Sequence, residues 1–406
     1  MPTRPLLLVM TSAGAVPDGQ GHLVDGKFLA GMARYASLWP GPVRALAPRA
    51  AVPDPFATRF DGDGAPFELR TFAAGDGQAE AMVAEADVAL LSGDAADQLP
   101  LAEVGRRAGT AVAFVIENTL PARLQMAWLD PSRGALRKAS SMLWQLRAER
   151  RRRAAFGLAH GLQANGFPAH AAYRGLNDRT LLYLDSRSDT ASLATGEERA
   201  MRRARLAFSQ PLRLLHSGRL EPLKGSQDVV PIAIALRRAG VGFTIDVFGT
   251  GSLDGPMRDA IARHDLGAQV RMHGAVPFES HLVPFARAEA DAFLSCNRQS
   301  DPSCTYLESM ACGLPIFGYG NAMWRALRDA SGGGWSVGVG DVAAMADRIA
   351  YEARTPGAIA DAADRAFAFA AARTFDHEFG ARIAHLLDLL SGAAGRPAPG
   401  ARRRAA

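Results

Sequence analysis

The sequence predicts an α/β protein built from two doubly wound domains. Apolar runs of strand length alternate with helical patterns along almost the whole chain, as buried parallel strands joined by helices do. The 406 residues exceed one domain, since a domain takes about 150. The alternating array also restarts after a break near residues 186–211. Parallel strands aim their carboxyl ends at a ligand, so a cleft between two such domains is the expected site.

The first array opens with the apolar run Leu6–Met10, a glycine-rich stretch from Thr11 to Gly21 and a helical pattern over Val24–Tyr35. Strand, loop and helix in that order make half of a βαβ unit. Apolar runs at Asp87–Leu91 and Ala111–Ile116 continue the array, and Ser140–Arg153 is helical and basic. Asn165–His170 reads as a loop into another helix. Thr195 and Glu198 have the spacing of a capping box, which starts a helix reaching Ala207. The second array has strands at Leu212–His216, Phe243–Phe248, Gln269–Met272, Ala290–Leu294, Pro315–Tyr319 and Trp335–Val339. Its helices include Gln227–Ala239, Pro256–His264, Phe278–Arg287, Thr305–Cys312 and Val342–Ala353. A last helix, His377–Leu390, puts Phe379, Ile383, Leu386, Leu387 and Leu390 on one face. The expected division is a first domain at 1–190, a linker at 191–211, a second domain at 212–375, a terminal helix at 376–392 and a disordered tail at 393–406.

Composition narrows the function classes. Hydrophobic residues at 48% and charged residues at 21% describe a folded chain. Three cysteines argue against a disulfide scaffold. No apolar run has the length of a membrane span, and the N-terminal apolar stretch is too short for a signal peptide. A soluble cytoplasmic protein is the expectation. The net charge is +5, but Arg396, Arg402, Arg403 and Arg404 lie in the tail and the rest carries only +1. With no basic patch interleaved with aromatics, no nucleic-acid partner is expected.

Several motifs carry chemistry, each beside a plainer reading. The Thr11–Gly21 loop is no dinucleotide fingerprint, because Val24 stands where the third glycine belongs. It is either a strand-to-helix turn or a backbone that approaches an anion closely. In His216–Gly225, Arg219 and Lys224 stand five apart across a Gly/Pro loop. They either converge on a diphosphate, fork and point charge together, or are two solvated loop charges. Gln299–Pro315 is a polar loop, a short helix and a strand start. That helix N-terminus offers N–H groups to phosphate or sugar oxygens. Glu308 either accepts from a ribose diol, closes a capping box with Thr305, or does both. Asp61-Gly62-Asp63 reads as a turn, and no essential metal is expected. Cys296, Cys304 and Cys312, eight apart, read as buried small residues. Arg147–Arg153 holds five arginines and one glutamate behind Met142, Leu143, Trp144 and Leu146. It is either a face for an anionic membrane surface or a solvated basic face.

The G-R-L-x-x-x-K-G loop at 218–225, the L-E-x-M-A-C-G-L-P run at 307–315 and the Thr374-Phe375 start of the terminal helix resemble the retaining glycosyltransferases of the GT-B fold, family 4. The resemblance is strong over Leu212–Leu390 and weak over residues 1–185. It implies two Rossmann-like domains facing a central cleft, the first for the acceptor and the second for a nucleotide sugar, with the final helix crossing back to the first. It implies that Arg219 and Lys224 bind the donor diphosphate and that Glu308 holds the ribose. It places Gly14 near the donor phosphates and Ala275 and Val276 against the base. Gly218, Ser300, Thr305, Tyr306 and Leu307 complete the implied nucleotide-sugar set.

Two positions depart from the family. Ser300 stands where the first glutamate of its pair belongs, with Asp301 beside it as a replacement through a shifted loop. Glu117-Asn118-Thr119 stands where many members carry a histidine, and a carboxylate–amide pair can orient a sugar hydroxyl. Arg219, Lys224, Asp301 and Glu117 are therefore the candidate catalytic residues. The implied reaction moves a sugar from a nucleotide-diphosphate sugar to a saccharide or lipid-linked saccharide, with retention, without a metal and with no cofactor beyond the donor substrate. The resemblance places it in polysaccharide or glycoconjugate biosynthesis, with peripheral membrane contact at the inner face. The rivals are a nucleotide-sugar epimerase or phosphorylase on the same architecture, and a non-catalytic nucleotide-sugar-binding protein, which Ser300 favours.

Overall fold

A computed structural model describes residues 4–54, 57–130, 133–208 and 211–394. The chain forms two compact units, one made of residues up to Leu124, Arg133–Tyr183 and Glu378 onward, the other of Gln125–Ser132 and Leu184–His377.

The first unit carries strands β1 (Leu7–Met10), β2 (Val16–Asp18), β3 (Gly21–Asp25), β4 (Val43–Pro48), β5 (Ala57–Phe60), β6 (Glu68–Phe72), β7 (Val88–Ser92), β8 (Ala111–Ile116), β9 (Gly161–Asn165) and β10 (Thr180–Tyr183). Seven form one parallel sheet in the order β10-β9-β8-β7-β1-β4-β6. The order reverses beside β1, which makes the carboxyl ends of β1 and β7 a switch point. Leu8, Leu91, Phe114, Ile116 and Phe156 belong to the core beneath it.

The glycine-rich stretch is more ordered than expected. β2 and β3 form an antiparallel hairpin, turned by Gly19-Gln20, and β5 adds to it. Strands this short show no alternation in sequence. The helix expected from Val24 begins at Gly26, with the Asp25 carboxylate capping the Phe28 N–H at 2.7 Å. Asp61–Asp63 lies in a turn, with the Asp63 N–H donating to the Asp61 carboxylate.

The basic run belongs to a helix longer than expected, Ala135–Leu158. It is not one solvated face. Arg152 is buried and donates to the Gly93 carbonyl at 2.7 Å, while Glu149 accepts from Arg123 and the Tyr173 hydroxyl at 3.2 Å each.

The second unit carries β11 (Leu212–Ser217), β12 (Phe243–Phe248), β13 (Val270–Gly274), β14 (Ala292–Ser295), β15 (Ile316–Tyr319) and β16 (Gly334–Val337). All pair in parallel, in the order β13-β12-β11-β14-β15-β16, with a switch point between β11 and β14. Each expected strand is present to within a residue or two. The core packs Leu214, Ile245, Val247, Leu294 and Phe317 against Val229, Ile232, Leu236 and Ile349.

Residues 191–208 pack as part of this unit. The helix Gly196–Ala207 starts with the Thr195–Glu198 capping box. From it, the buried Arg202 donates to five carbonyls, those of Ala286, Arg287, Ala290, Cys312 and Gly313. The terminal helix runs over Phe375–Ala394 and belongs to the first unit from Glu378 on. The tail expected to be disordered lies, from Gly395, outside the described residues.

Candidate active site

Every candidate residue of the second unit lies at the carboxyl end of its sheet. After β11, Gly218 presses its carbonyl against Gly249, where a Cβ would collide with it and φ is +128°. The Leu220 N–H donates to the Thr250 carbonyl, and the Leu253 N–H returns to the Leu220 carbonyl, both at 2.9 Å. The loops after β11 and β12 are thereby joined. Gly225, at φ +70°, lies against the Cys296 carbonyl, which joins the first of them to the loop after β14. Beneath, the buried His216 bridges the Leu294 carbonyl at 2.9 Å and the Ser226 hydroxyl at 3.2 Å. Burial pushes its imidazole below the usual pKa.

This frame treats the two cations differently. Arg219 is exposed and makes no side-chain hydrogen bond among the described residues. Lys224 Nζ meets Asp301 Oδ2 at 2.6 Å, and the Asn297 amide donates to Asp301 Oδ1 at 3.1 Å. Both Asp301 oxygens are thus engaged, and Lys224 is held in place. Ser300 Oγ accepts the Ala322 N–H at 3.1 Å.

The helix here spans Cys304–Ala311, starting one residue before the expected Thr305. Its N-cap is Ser303, which makes no side-chain cap bond. The Thr305–Glu308 capping box does not form. The Glu308 carboxylate instead takes a fork from Arg187, Nε to Oε1 at 2.7 Å and Nη2 to Oε2 at 3.0 Å. Tyr306 and Leu307 are core residues. The Tyr306 hydroxyl accepts from the Asn321 amide at 2.9 Å, and burial pushes its pKa up to about 12. Their side chains are turned into the core, and the Tyr306 N–H already donates to the Ser303 carbonyl at 3.3 Å.

Val276 follows β13 in a loop whose neighbour, the Gly274 carbonyl, accepts the Gly249 N–H at 2.8 Å. His273 stacks on Phe248 at 4.3 Å between centroids and pairs with Asp246 at 2.7 Å.

Gly14 and Glu117 belong to the first unit. Gly14 follows β1 and abuts Ala50, where a Cβ would clash. Its neighbour Ala15 exchanges backbone bonds with Pro48 and Ala50. Glu117 follows β8 with an exposed side chain. Its N–H and that of Asn118 both donate to Asp94 Oδ2, at 2.8 and 3.3 Å. Asp94 is held in turn by Arg123 at 2.7 Å. The charged set Asp94, Arg123, Glu149 and Arg152 thus fixes the 117–118 turn. Sequence reading missed this set, and it missed Asn297 and Arg187, because each acts through partners distant in sequence.

Residues 211–352 match the family described as Glycosyl transferases group 1. The amylovoran biosynthesis glycosyltransferase AmsK of Erwinia amylovora is 30% identical over 152 residues, 34% of this chain and 35% of its own. WcaL of Escherichia coli K12, which carries the name of a colanic acid biosynthesis glycosyltransferase, is 29% identical over 156 residues, 36% of each chain. The chain thus matches about a third of the length of these relatives. Over nearly its full length the fold resembles that of Anabaena Alr3699/HepE, solved with UDP, at a TM-score of 0.65 and 15% identity, covering 95% of this chain and 99% of that one. It also resembles sucrose-phosphate synthase of Thermosynechococcus elongatus, at a TM-score of 0.64 and 15% identity, covering 96% and 100%. At these identities the likeness is one of fold, and the fold is that of the two Rossmann-like units of GT-B glycosyltransferases. The segment that matches glycosyl transferases group 1, residues 211–352, is the one that carries Arg219, Lys224, Asp301 and Glu308.

Proposed function

We propose that the protein is a retaining glycosyltransferase that moves a sugar from a nucleotide-diphosphate sugar to a saccharide or lipid-linked saccharide in polysaccharide or glycoconjugate biosynthesis. One observation carries this reading. The segment that matches group 1 holds Lys224, Asp301 and Glu308 on adjoining loops and the helix at the carboxyl end of its sheet. The names of AmsK and WcaL and the UDP bound to the Anabaena protein support it.

Breaking the anomeric C–O bond leaves negative charge on the diphosphate and positive charge on the sugar. Arg219, Lys224 and the N-terminus of Cys304–Ala311 offset the former without a metal. Lys224 donates one proton to Asp301 and keeps two for phosphate oxygens. Glu308 holds the ribose, and the backbone after β13 meets the base. The acceptor attacks from the face the diphosphate leaves, so configuration is retained. On the acceptor side, the Glu117–Asn118 turn orients a sugar hydroxyl.

Thermal stability against UDP, GDP, ADP and dTDP sugars tests the donor site. A ligand at 100 times its Kd adds about 2.7 kcal/mol, a visible rise in Tm. The rise is expected with one nucleotide class and lost in Arg219→Ala. No rise across the panel sinks the donor reading. Binding without turnover of donor and acceptor identifies the non-catalytic alternative.

Membrane contact is part of the proposal. No helix among the described residues is long and apolar enough to cross a membrane. Leu136, Leu143, Trp144 and Leu146 are nonetheless exposed on Ala135–Leu158, among exposed Arg137, Arg147, Arg150 and Arg151. Trp144→Glu is expected to abolish sedimentation with anionic vesicles. Unchanged sedimentation of that variant would remove the helix from the proposal.

A further inference from the structure

Arg187 lies just after the chain passes from the first unit to the second, in an extended segment without strand partners. The segment alternates: Leu184, Ser186 and Ser188 are buried, while Asp185, Arg187 and Asp189 face outward or sideways. The Phe375 N–H donates to the Ser188 carbonyl at 2.8 Å, and the Ser188 N–H to the Ser186 hydroxyl at 3.0 Å, which fixes the register. The outward residues meet the helix Cys304–Ala311 in step. Asp185 accepts from the Cys304 thiol at 3.4 Å, and Arg187 forks onto Glu308. Two residues of extended chain span about 6.6 Å and four of helix about 6 Å, so the contacts repeat together.

The Arg187–Glu308 pair is lopsided. The Glu308 side chain is 7% exposed and that of Arg187 49%. The guanidinium carbon lies over the Phe278 ring, 3.9 Å from its centroid, two residues beyond Val276. A fork onto both carboxylate oxygens leaves each oxygen a second acceptor position. Displacing Arg187 would leave a nearly buried carboxylate with neutral hydroxyls alone, whereas sharing Glu308 keeps its charge compensated. The contact with Phe278 restricts the arginine in the same sense.

We propose that Arg187 is a positioning residue for the ribose subsite: it orients Glu308 so that the remaining acceptor positions receive the nucleotide's vicinal diol. This rests on the proposed donor site. It assigns discrimination of ribose from deoxyribose to a residue on the connection between the units, outside the group 1 segment.

The test compares binding of UDP with 2′-deoxy-UDP, and of the matching guanosine and adenosine pairs, by calorimetry. The wild-type protein is expected to favour the ribonucleotide about 10-fold or more, the worth of a hydrogen bond to a charged group. Arg187→Ala should lose that preference by weakening the ribonucleotide while leaving the deoxynucleotide nearly unchanged. Arg187→Lys, which keeps the charge without the fork, should recover part of it, and adding Glu308→Gln to Arg187→Ala should change little. Equal weakening of both nucleotides would make Arg187 merely structural, and tighter ribonucleotide binding would make it a competitor. Either result overturns the proposal. If the wild-type protein binds no nucleotide, the donor reading fails first and takes this one with it.

Discussion

Lys224 and Asp301 sit 2.6 Å apart with about a fifth of each side chain exposed, and their coupling sets what substitution does. In the proposed donor site, removing Lys224 takes a cation from the diphosphate and leaves the Asp301 carboxylate facing the same phosphates. Like charges in a partly dry site repel strongly. Lys224→Ala should therefore raise donor KM about 10-fold or more, and Lys224→Ala/Asp301→Asn should recover part of the loss. Purely additive effects in that cycle would remove the coupling. The loop residues were legible because Gly218, Gly225 and the charges between them form one contiguous motif. Arg187 was not, because its partner Glu308 is 121 residues away. T-x-x-E at 305–308 did not become a capping box because the N-cap is Ser303, which puts Thr305 inside the first turn and leaves the Glu308 carboxylate to Arg187.

Among the elements, legibility followed contrast. β12 over Phe243–Phe248 and the helix Val342–Ala353 have the expected bounds, because each is an apolar pattern between turn residues. The helix Pro356–Ala371 was missed: it buries Ala360, Ala362, Ala363, Ala366 and Ala370, and alanine gives weak contrast between faces. β9 hid because the buried strand carries Gln163 and Asn165. Helix Gly196–Ala207 was legible from its capping box, but not its role as a keystone. Arg202 satisfies carbonyls at the ends of helices Val283–Ala288 and Cys304–Ala311, where orphan acceptors would otherwise be buried. Burial pushes its pKa down to about 10, so it stays charged at neutral pH. Arg202→Met fills the volume and bonds none of them. Each orphan costs about 1–3 kcal/mol, so a loss of about 3 kcal/mol or more and a Tm fall of about 6–12 °C are expected in calorimetry. A fall of under about 2 °C would show that water replaces the guanidinium.

Across the whole molecule, three histidines tie stability to pH in one direction. His170 and His216 are held below the ordinary imidazole pKa by burial. His385 is likewise depressed by burial, although the Arg179 carbonyl opposes the shift. Two lie in the first unit and His216 in the second. In each case the unfolded chain takes up its proton at higher pH than the folded protein. Their stability contribution is complete above the unfolded value of about 6.5 and is lost as pH falls below it toward the folded pKa. The carboxylates act lower. Glu198, which burial would raise but Arg287 and Thr195 hold down, keeps its contribution until pH falls below about 4.5. Melting curves between pH 7.5 and 5.5 should therefore show Tm falling with acid, each histidine adding up to about 1.4 kcal/mol per pH unit. His216→Asn keeps a donor for the Leu294 carbonyl and removes the titrating group. It should flatten the slope for the second unit while leaving that of the first unchanged. An unaltered slope would mean that His216 takes up its proton equally in the folded and the unfolded state, and would remove it from the linkage.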